Sequence, residues 1–164
     1  MTRLTRVILA SIVLGSIAGA AWAEAWRTYV NPRFGVSAQV PSDWTMGPEP
    51  ANDDGRAFTS PDGSAEIIVS GILSTLSRDQ EFSIRTTPNP GETITYKAVR
   101  GAVAVVSGAR ADKIFYRKSV LNCGIWNDVS IEYPAEEKAK YDALVVHVAA
   151  SLAPGGGDAH PPCR

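Results

Sequence analysis

From Ala25 onward the chain alternates apolar and polar residues with a period of two, a pattern that predicts strands. Ala25 to Val30 forms the first, and Asn31-Pro32-Arg33 interrupts it. A second runs from Phe34 to Val40, with Phe34, Val36, Ala38 and Val40 on one face. Pro41 has no N–H to donate and ends that ladder. Ser42-Asp43-Trp44 then turns the chain, with Trp44 expected as a plug at the end of the core. Met46 to Gly55 is rich in Gly, Pro, Asn and Asp and reads as a loop.

Arg56 to Ser60 and Ser64 to Ile72 predict a hairpin around Pro61-Asp62-Gly63. In that turn Pro presets φ, Asp bonds its own backbone and Gly accepts a positive φ. Ala65, Ile67 and Val69 face away from Glu66, Ile68 and Ser70. Ser77 and Gln80 stand three apart as a capping box, which predicts a short helix from about Arg78 to Arg85. Phe82 and Ile84 are its apolar anchors, and Thr86-Thr87-Pro88 ends it.

Four further strands follow. Thr93 to Val99 places Ile94, Tyr96 and Ala98 on one side. Ala102 to Val106 is continuously apolar, as in a central strand covered on both faces. A turn is expected over Gly108 to Asp112, and Lys113 to Leu121 and Gly124 to Glu132 are the last two strands. The short turns between them imply antiparallel pairing. Tyr133-Pro134 begins one long helix of about 18 residues, with Pro134 in the first turn, where a missing N–H costs nothing. Tyr141, Leu144, Val145, Val148 and Leu152 fall on one stripe, and Glu136 stands one turn from Lys140. Pro154 and Gly155 to Gly157 end it. The pattern as a whole predicts an α+β domain. An antiparallel sheet of about six or seven strands carries the C-terminal helix packed on one face.

The first 23 residues fall outside this pattern. Arg3 and Arg6 precede an apolar run, and Ala21-Trp22-Ala23 is a small-x-small cleavage site. Residues 1–23 therefore read as a cleaved export signal. Residues 24–153 then form a single domain, and residues 154–164 a flexible Pro/Gly-rich tail. The apolar run is short for a membrane span, so no stable membrane anchor is expected after cleavage. The destination is periplasmic or secreted. Loss of Arg3 and Arg6 leaves the mature chain more acidic than the full sequence, which has 16 Lys and Arg against 17 Asp and Glu. No basic run stands out, which argues against nucleic acid as a partner. The two cysteines, Cys123 and Cys163, either form a disulfide that pins the tail to the body or stand as two independent thiols.

Catalytic chemistry is sparse. His147 falls off the apolar stripe and reads as solvent-facing, and His160 lies in the tail. Neither stands like a general base with an orienting partner. No nucleophile elbow, zinc-protease motif, paired-cysteine motif or P-loop occurs. No catalytic residue, cofactor or metal is expected. Asp53 and Asp54, and Asp62 with Glu66, offer hard oxygen ligands, but Asp-Gly is also ordinary turn chemistry. Trp44 and Trp126 could line a ligand cleft, although aromatic residues at strand ends usually belong to the core. The candidate binding residues are thus Trp44, Asp53, Asp54, Arg56 and Trp126.

Trp26 to Trp44, with its Phe34-Gly35 pair and its Pro41-Ser42-Asp43-Trp44 corner, resembles the opening of Mog1/PsbP-like domains. Asp54-Gly55-Arg56, Ser60-Pro61-Asp62-Gly63, Phe115-Tyr116 and Glu132-Tyr133-Pro134 look like small exported proteins of Gram-negative bacteria. The resemblance spans most of residues 26–152. It implies an α/β/α sandwich and a binding or accessory role for a protein or small-molecule partner that it does not name. The alternative is a small exported hydrolase with a dispersed Ser/His or carboxylate site.

Overall fold

The structure is a computed structural model, and it describes residues 25–155. The expected export signal and most of the expected tail, with His160 and Cys163, lie outside the described residues.

The chain first forms a two-stranded antiparallel ribbon, β1 (Trp26–Val30) with β2 (Ser37–Pro41). It then builds a seven-stranded sheet from β3 (Thr45–Met46), β4 (Gly55–Thr59), β5 (Glu66–Leu73), β6 (Glu92–Arg100), β7 (Val103–Arg110), β8 (Lys113–Asn122) and β9 (Ile125–Pro134). Helix α1 (Arg78–Arg85) interrupts the strands, and α2 (Lys138–Ser151) follows them. The sheet order is β3-β4-β5-β9-β8-β7-β6, and every pairing is antiparallel.

The main core lies between one sheet face and a cover made of the β1–β2 ribbon and α2. Val36, Ala38 and Val40 from the ribbon meet Ile67 and Val69 of β5, Val129 and Ile131 of β9, and Tyr141, Leu144, Val148 and Leu152 of α2. The predicted helix stripe is buried along its whole length. On the opposite face Phe82 of α1 packs with Ala104, Trp126 and Leu121. Helices therefore lie on both faces, but α1 is only 8 residues long and covers part of its side.

Where sequence signals are local, the observed elements match them. Helix α1 has the predicted bounds. The Ser77 hydroxyl accepts from the Gln80 N–H at 3.4 Å, and the Gln80 side chain accepts from the Ser77 N–H at 3.2 Å. Of its two expected anchors only Phe82 is buried; Ile84 is exposed. Strand β5 alternates as predicted, with Ile67 and Val69 buried and Glu66 and Ile68 exposed.

Several expectations are corrected. The ribbon is a layer of its own, so the described strands number nine in two sheets. The expected loop from Met46 contains the end of the edge strand β3, whose Met46 pairs with Phe58. The apolar run at Ala102 to Val106 is not central, because β7 lies second from the edge and alternates buried with half-buried residues. The centre is β9, covered on both faces, although its sequence carries Asp128, Ser130 and Glu132. Gly108 lies inside β7 rather than in a turn. A Cβ there would sit 2.0 Å from the Thr93 carbonyl, beside the bulge between Ile94 and Tyr96. That bulge undoes the simple alternation expected of β6, and Tyr96 is exposed.

Pro134 closes β9, in register with Lys113, and does not open the helix. Its ψ of 133° is extended, and a 3₁₀ turn (Ala135–Glu137) separates it from α2. The helix thus has 14 residues, about 21 Å of length. Lys140 accordingly meets Glu137 at 3.0 Å and Asp62 at 3.5 Å, in place of the expected Glu136.

Candidate functional site

The corner after β2 brings three segments together. Pro41 ends the ribbon, and its carbonyl accepts from the Trp44 N–H at 3.3 Å. The turn between β4 and β5 supplies Ser60, Pro61 and Asp62, and the first turns of α2 supply Lys140, Tyr141 and Leu144. Together with Asp43 and Trp44 they line an open cleft of about 290 Å³.

Aromatic contacts form the floor of this cleft. Trp44 is buried in the core, as expected of a plug, and its ring meets Tyr141 edge-on at 6.5 Å. Tyr141 in turn tilts against Tyr133 at 5.0 Å. The guanidinium of Arg27 donates to the Trp44 carbonyl at 2.6 Å and fixes the corner to the ribbon. These rings hold one another in single orientations, which leaves little rotamer entropy to lose when something binds.

The rim carries fixed charge. The Asp62 carboxylate accepts from the Ser60 hydroxyl at 2.6 Å, the Ser64 N–H at 3.0 Å and the Ser64 hydroxyl at 2.8 Å. These bonds, the Ser60 hydroxyl's first, hold its carboxyl well below the usual carboxylate range. The hydrogen bond that it donates to Glu137 raises the Lys140 ammonium above its ordinary value. Neither group changes charge near neutral pH, so the rim can recognise a ligand but is ill suited to moving protons. Asp62 gives Oδ1 to the serines of its own turn and turns Oδ2 toward Lys140, which is turn chemistry and ion pairing.

The five candidate binding residues do not converge. Asp53, Asp54 and Arg56 lie at the end of β4 remote from Trp44, since Gly55 pairs with Ser70 while Thr59 pairs with Thr45. Asp53 adopts φ 49°, and its carbonyl accepts from the buried Asn31 side chain at 3.0 Å. Desolvation, with Glu49 beside it, raises the Asp53 carboxyl above its ordinary value. Asp54 accepts from Asn52 at 2.6 Å, and Arg56 pairs with Glu49 at 3.3 Å. All these contacts brace a loop. Trp126 lies on the other sheet face, fully buried against Phe82. Trp44 alone lines the cleft. Its companions Lys140 and Tyr141 escaped sequence reasoning because they come from a helix about a hundred residues away; the Ser60-Pro61-Asp62-Gly63 motif was the one visible sign.

His147 also differs from expectation. It is half-buried, its ring stacked on Trp26 at 3.7 Å and 16°, with Nε2 2.6 Å from the Gln39 side-chain oxygen. It joins α2 to the ribbon. Its Nε2 is engaged by an amide and its ring face by an indole, which is not the arrangement of a triad base. Among the described residues no three His, Cys, Asp or Glu side chains converge as a metal would need.

Comparison with solved structures decides the fold. The cyanobacterial PsbP protein CyanoP of Synechocystis superposes with a TM-score of 0.62, covering 86% of this chain and 98% of that one at 12% identity. The fold is Mog1/PsbP-like. The Ran-binding protein Mog1p of Saccharomyces cerevisiae matches with a TM-score of 0.52, over 80% of this chain and 96% of that one at 9% identity. LpqN of Mycobacterium tuberculosis, described as involved in cell envelope biogenesis, matches with a TM-score of 0.50, over 79% and 91% at 12% identity. No protein-family model matches the sequence, and no curated protein matches it. At these identities the Mog1/PsbP-like likeness concerns the backbone. What the Trp44 cleft does must be argued from its own residues.

Proposed function

We propose that this is an exported accessory protein that binds a protein partner without catalysis, using the cleft beside Trp44. The observation that carries the reading is the cleft itself: a rigid aromatic floor of Trp44 and Tyr141 beneath a rim whose charges, Asp62 and Lys140, are fixed at neutral pH. Aromatic anchors ringed by polar groups are what binding surfaces concentrate. The Mog1/PsbP-like fold supports the reading by analogy, because Mog1p is named for binding another protein. The hydrolase alternative loses ground, because His147 is engaged by Trp26 and Gln39.

Export rests on residues 1–23, and no helix among the described residues is long and apolar enough to cross a membrane. The mature chain then begins at Glu24, and residues 154–164 form its tail. The test of the binding reading is site-specific photo-crosslinking in living cells. A photoreactive side chain at Asp43 or Lys140 should give a discrete protein adduct, while one at the exposed Val146 should not. Equal labelling from all three positions would remove the cleft from consideration. So would His147-dependent hydrolysis of an ester or peptide substrate by the pure protein.

The reading includes a Cys123–Cys163 disulfide. Cys123 occupies a left-handed position, φ 51°, in the tight β8–β9 turn. The described chain ends beside it. The Gly155 N–H donates to Asn127 at 3.0 Å, and the Gly155 carbonyl accepts from Asn122, the neighbour of Cys123, at 3.4 Å. Eight further residues reach Cys163, ample to return to that turn. Closing a loop of about 40 residues should stabilise the protein by roughly 4 kcal/mol. Thiol titration of the denatured, oxidised protein should therefore find no free thiol, and Cys163→Ser should lower the urea midpoint. Two titratable thiols would refute the bridge.

A further inference from the structure

A second hollow lies on the sheet face opposite the main core, where α1 stops short. Strand β8 places Arg117 and Ser119 two residues apart on that face, and α1 delivers Arg85 at its C-terminal end. With Ile84, Thr87 and Asn89 they line a hollow of about 200 Å³.

Both guanidiniums are pre-placed. Arg85 lies over the Trp126 ring at 4.2 Å and donates to Asp128 at 2.7 Å. Arg117 lies over Phe115 at 4.7 Å and donates through both terminal nitrogens to Glu92, at 3.1 and 2.8 Å. The two carboxylates that hold the arginines are not among the lining residues. The lining residues are two arginines, a serine, a threonine, an asparagine and an isoleucine. The Nε of each arginine is buried without a hydrogen-bond partner. Those two atoms are covered, so a ligand in the hollow would meet the terminal nitrogens, each of which carries two N–H groups.

The geometry points to a binding site for the anionic oxygen group of a small molecule, a carboxylate or a phosphate, held between Arg85 and Arg117. A guanidinium fork matches the paired oxygens of either group, and both arginines have already given up their rotamer freedom. Asn89 gives one amide N–H to Glu92 at 3.1 Å and keeps the second for a ligand at the wall. The C-terminal end of a helix ordinarily repels an anion. Here the last carbonyls of α1 are occupied: Phe82 accepts from the Thr86 hydroxyl at 2.8 Å, Ser83 from the Thr87 hydroxyl at 2.7 Å, and Ile84 from the Thr87 N–H at 3.3 Å. This site is on a different face from the Trp44 cleft and does not depend on the reading of that cleft.

The test is an NMR titration of the ¹⁵N-labelled protein, at constant ionic strength set with sodium chloride. Inorganic phosphate is added in one arm and succinate in the other, and the Nε–Hε signals of Arg85 and Arg117 are followed. A saturable shift of these signals is expected in at least one arm, and the arm that saturates at lower concentration identifies the oxygen group. Thr87→Glu puts a carboxylate at the exposed mouth and leaves both ion pairs intact; it should weaken binding about tenfold. Shifts that rise linearly in both arms, or a Thr87→Glu protein that binds as tightly as the parent, would overturn the assignment.

Discussion

Replacing Arg85 by alanine is expected to destabilise the fold by about 3–5 kcal/mol at neutral pH, and by clearly less at about pH 4. Arg85 and Asp128 pair at 2.7 Å with both side chains largely buried. Removing the cation leaves an ionised carboxylate in the doubly covered centre of the sheet, with only Ser119 to answer it. Burial already raises the Asp128 carboxyl above its ordinary value, against the opposing pull of Arg85. A carboxyl raised in the folded state takes up its proton before the unfolded chain does as the pH falls. Its contribution therefore improves as pH drops through the folded value, and worsens as pH rises through it. Without Arg85 that value rises further and the pH window widens. Urea unfolding of parent and variant at both pH values measures the effect, and Arg85→Ala combined with Asp128→Asn should recover part of the loss at neutral pH. A loss of the same size at both pH values would show that Asp128 is not the group responsible.

The same ion pair shows why part of this fold could be read from the sequence and part could not. Local codes were legible. Ser77 and Gln80 cap α1 through bonds spanning three residues, and the alternation from Ala65 to Val69 sorts its side chains by pleat alone. The stripe from Tyr141 to Leu152 declares its buried face by period. Pairing between distant strands leaves no such mark. An apolar run marks a central strand only where both faces are covered by apolar groups. Strand β9 is central with Asp128 and Glu132 on it because arginines from α1 and β7 and a lysine from β8 neutralise them: Arg85, Arg110 and Lys113. Strand β7 is continuously apolar near an edge because α1 lies over Ala104. Pro134 suits the end of a strand as well as the start of a helix, since both positions tolerate a missing N–H.

The candidate site was legible to the same extent. Trp44 could be found from its corner, because Pro41 ends the ladder and the aromatic ring must go somewhere. Its companions Lys140 and Tyr141 were hidden by the sheet that separates them in sequence. His147 looked solvent-facing because a helical wheel cannot anticipate that Trp26, from the ribbon packed against α2, would stack on it.

Trp126 supplies the second large effect, and it separates a structural role from a ligand-binding one. Its ring is fully buried, meets Phe82 edge-on at 5.0 Å and lies beneath Arg85. A side chain with no exposed surface cannot meet a ligand without the fold opening first. Trp126→Ala should cost about 3–5 kcal/mol, the usual range for deleting a buried large aromatic. The loss should also be spatially confined. Phe82 is the only buried apolar residue of α1, so the helix depends on Trp126 for its attachment. An isolated helix of 8 residues has little stability in water. Hydrogen exchange should therefore show the α1 amides losing protection in Trp126→Ala, while those of β2 and α2, which belong to the other core, keep most of theirs. Trp126→Phe retains a ring for Phe82 and Arg85 and should lose less on both measures. If α1 stayed protected in Trp126→Ala, its attachment would have to come from its polar anchors, the Arg85–Asp128 pair and the Glu81 carboxylate that accepts from Ser74, Thr75 and Leu76.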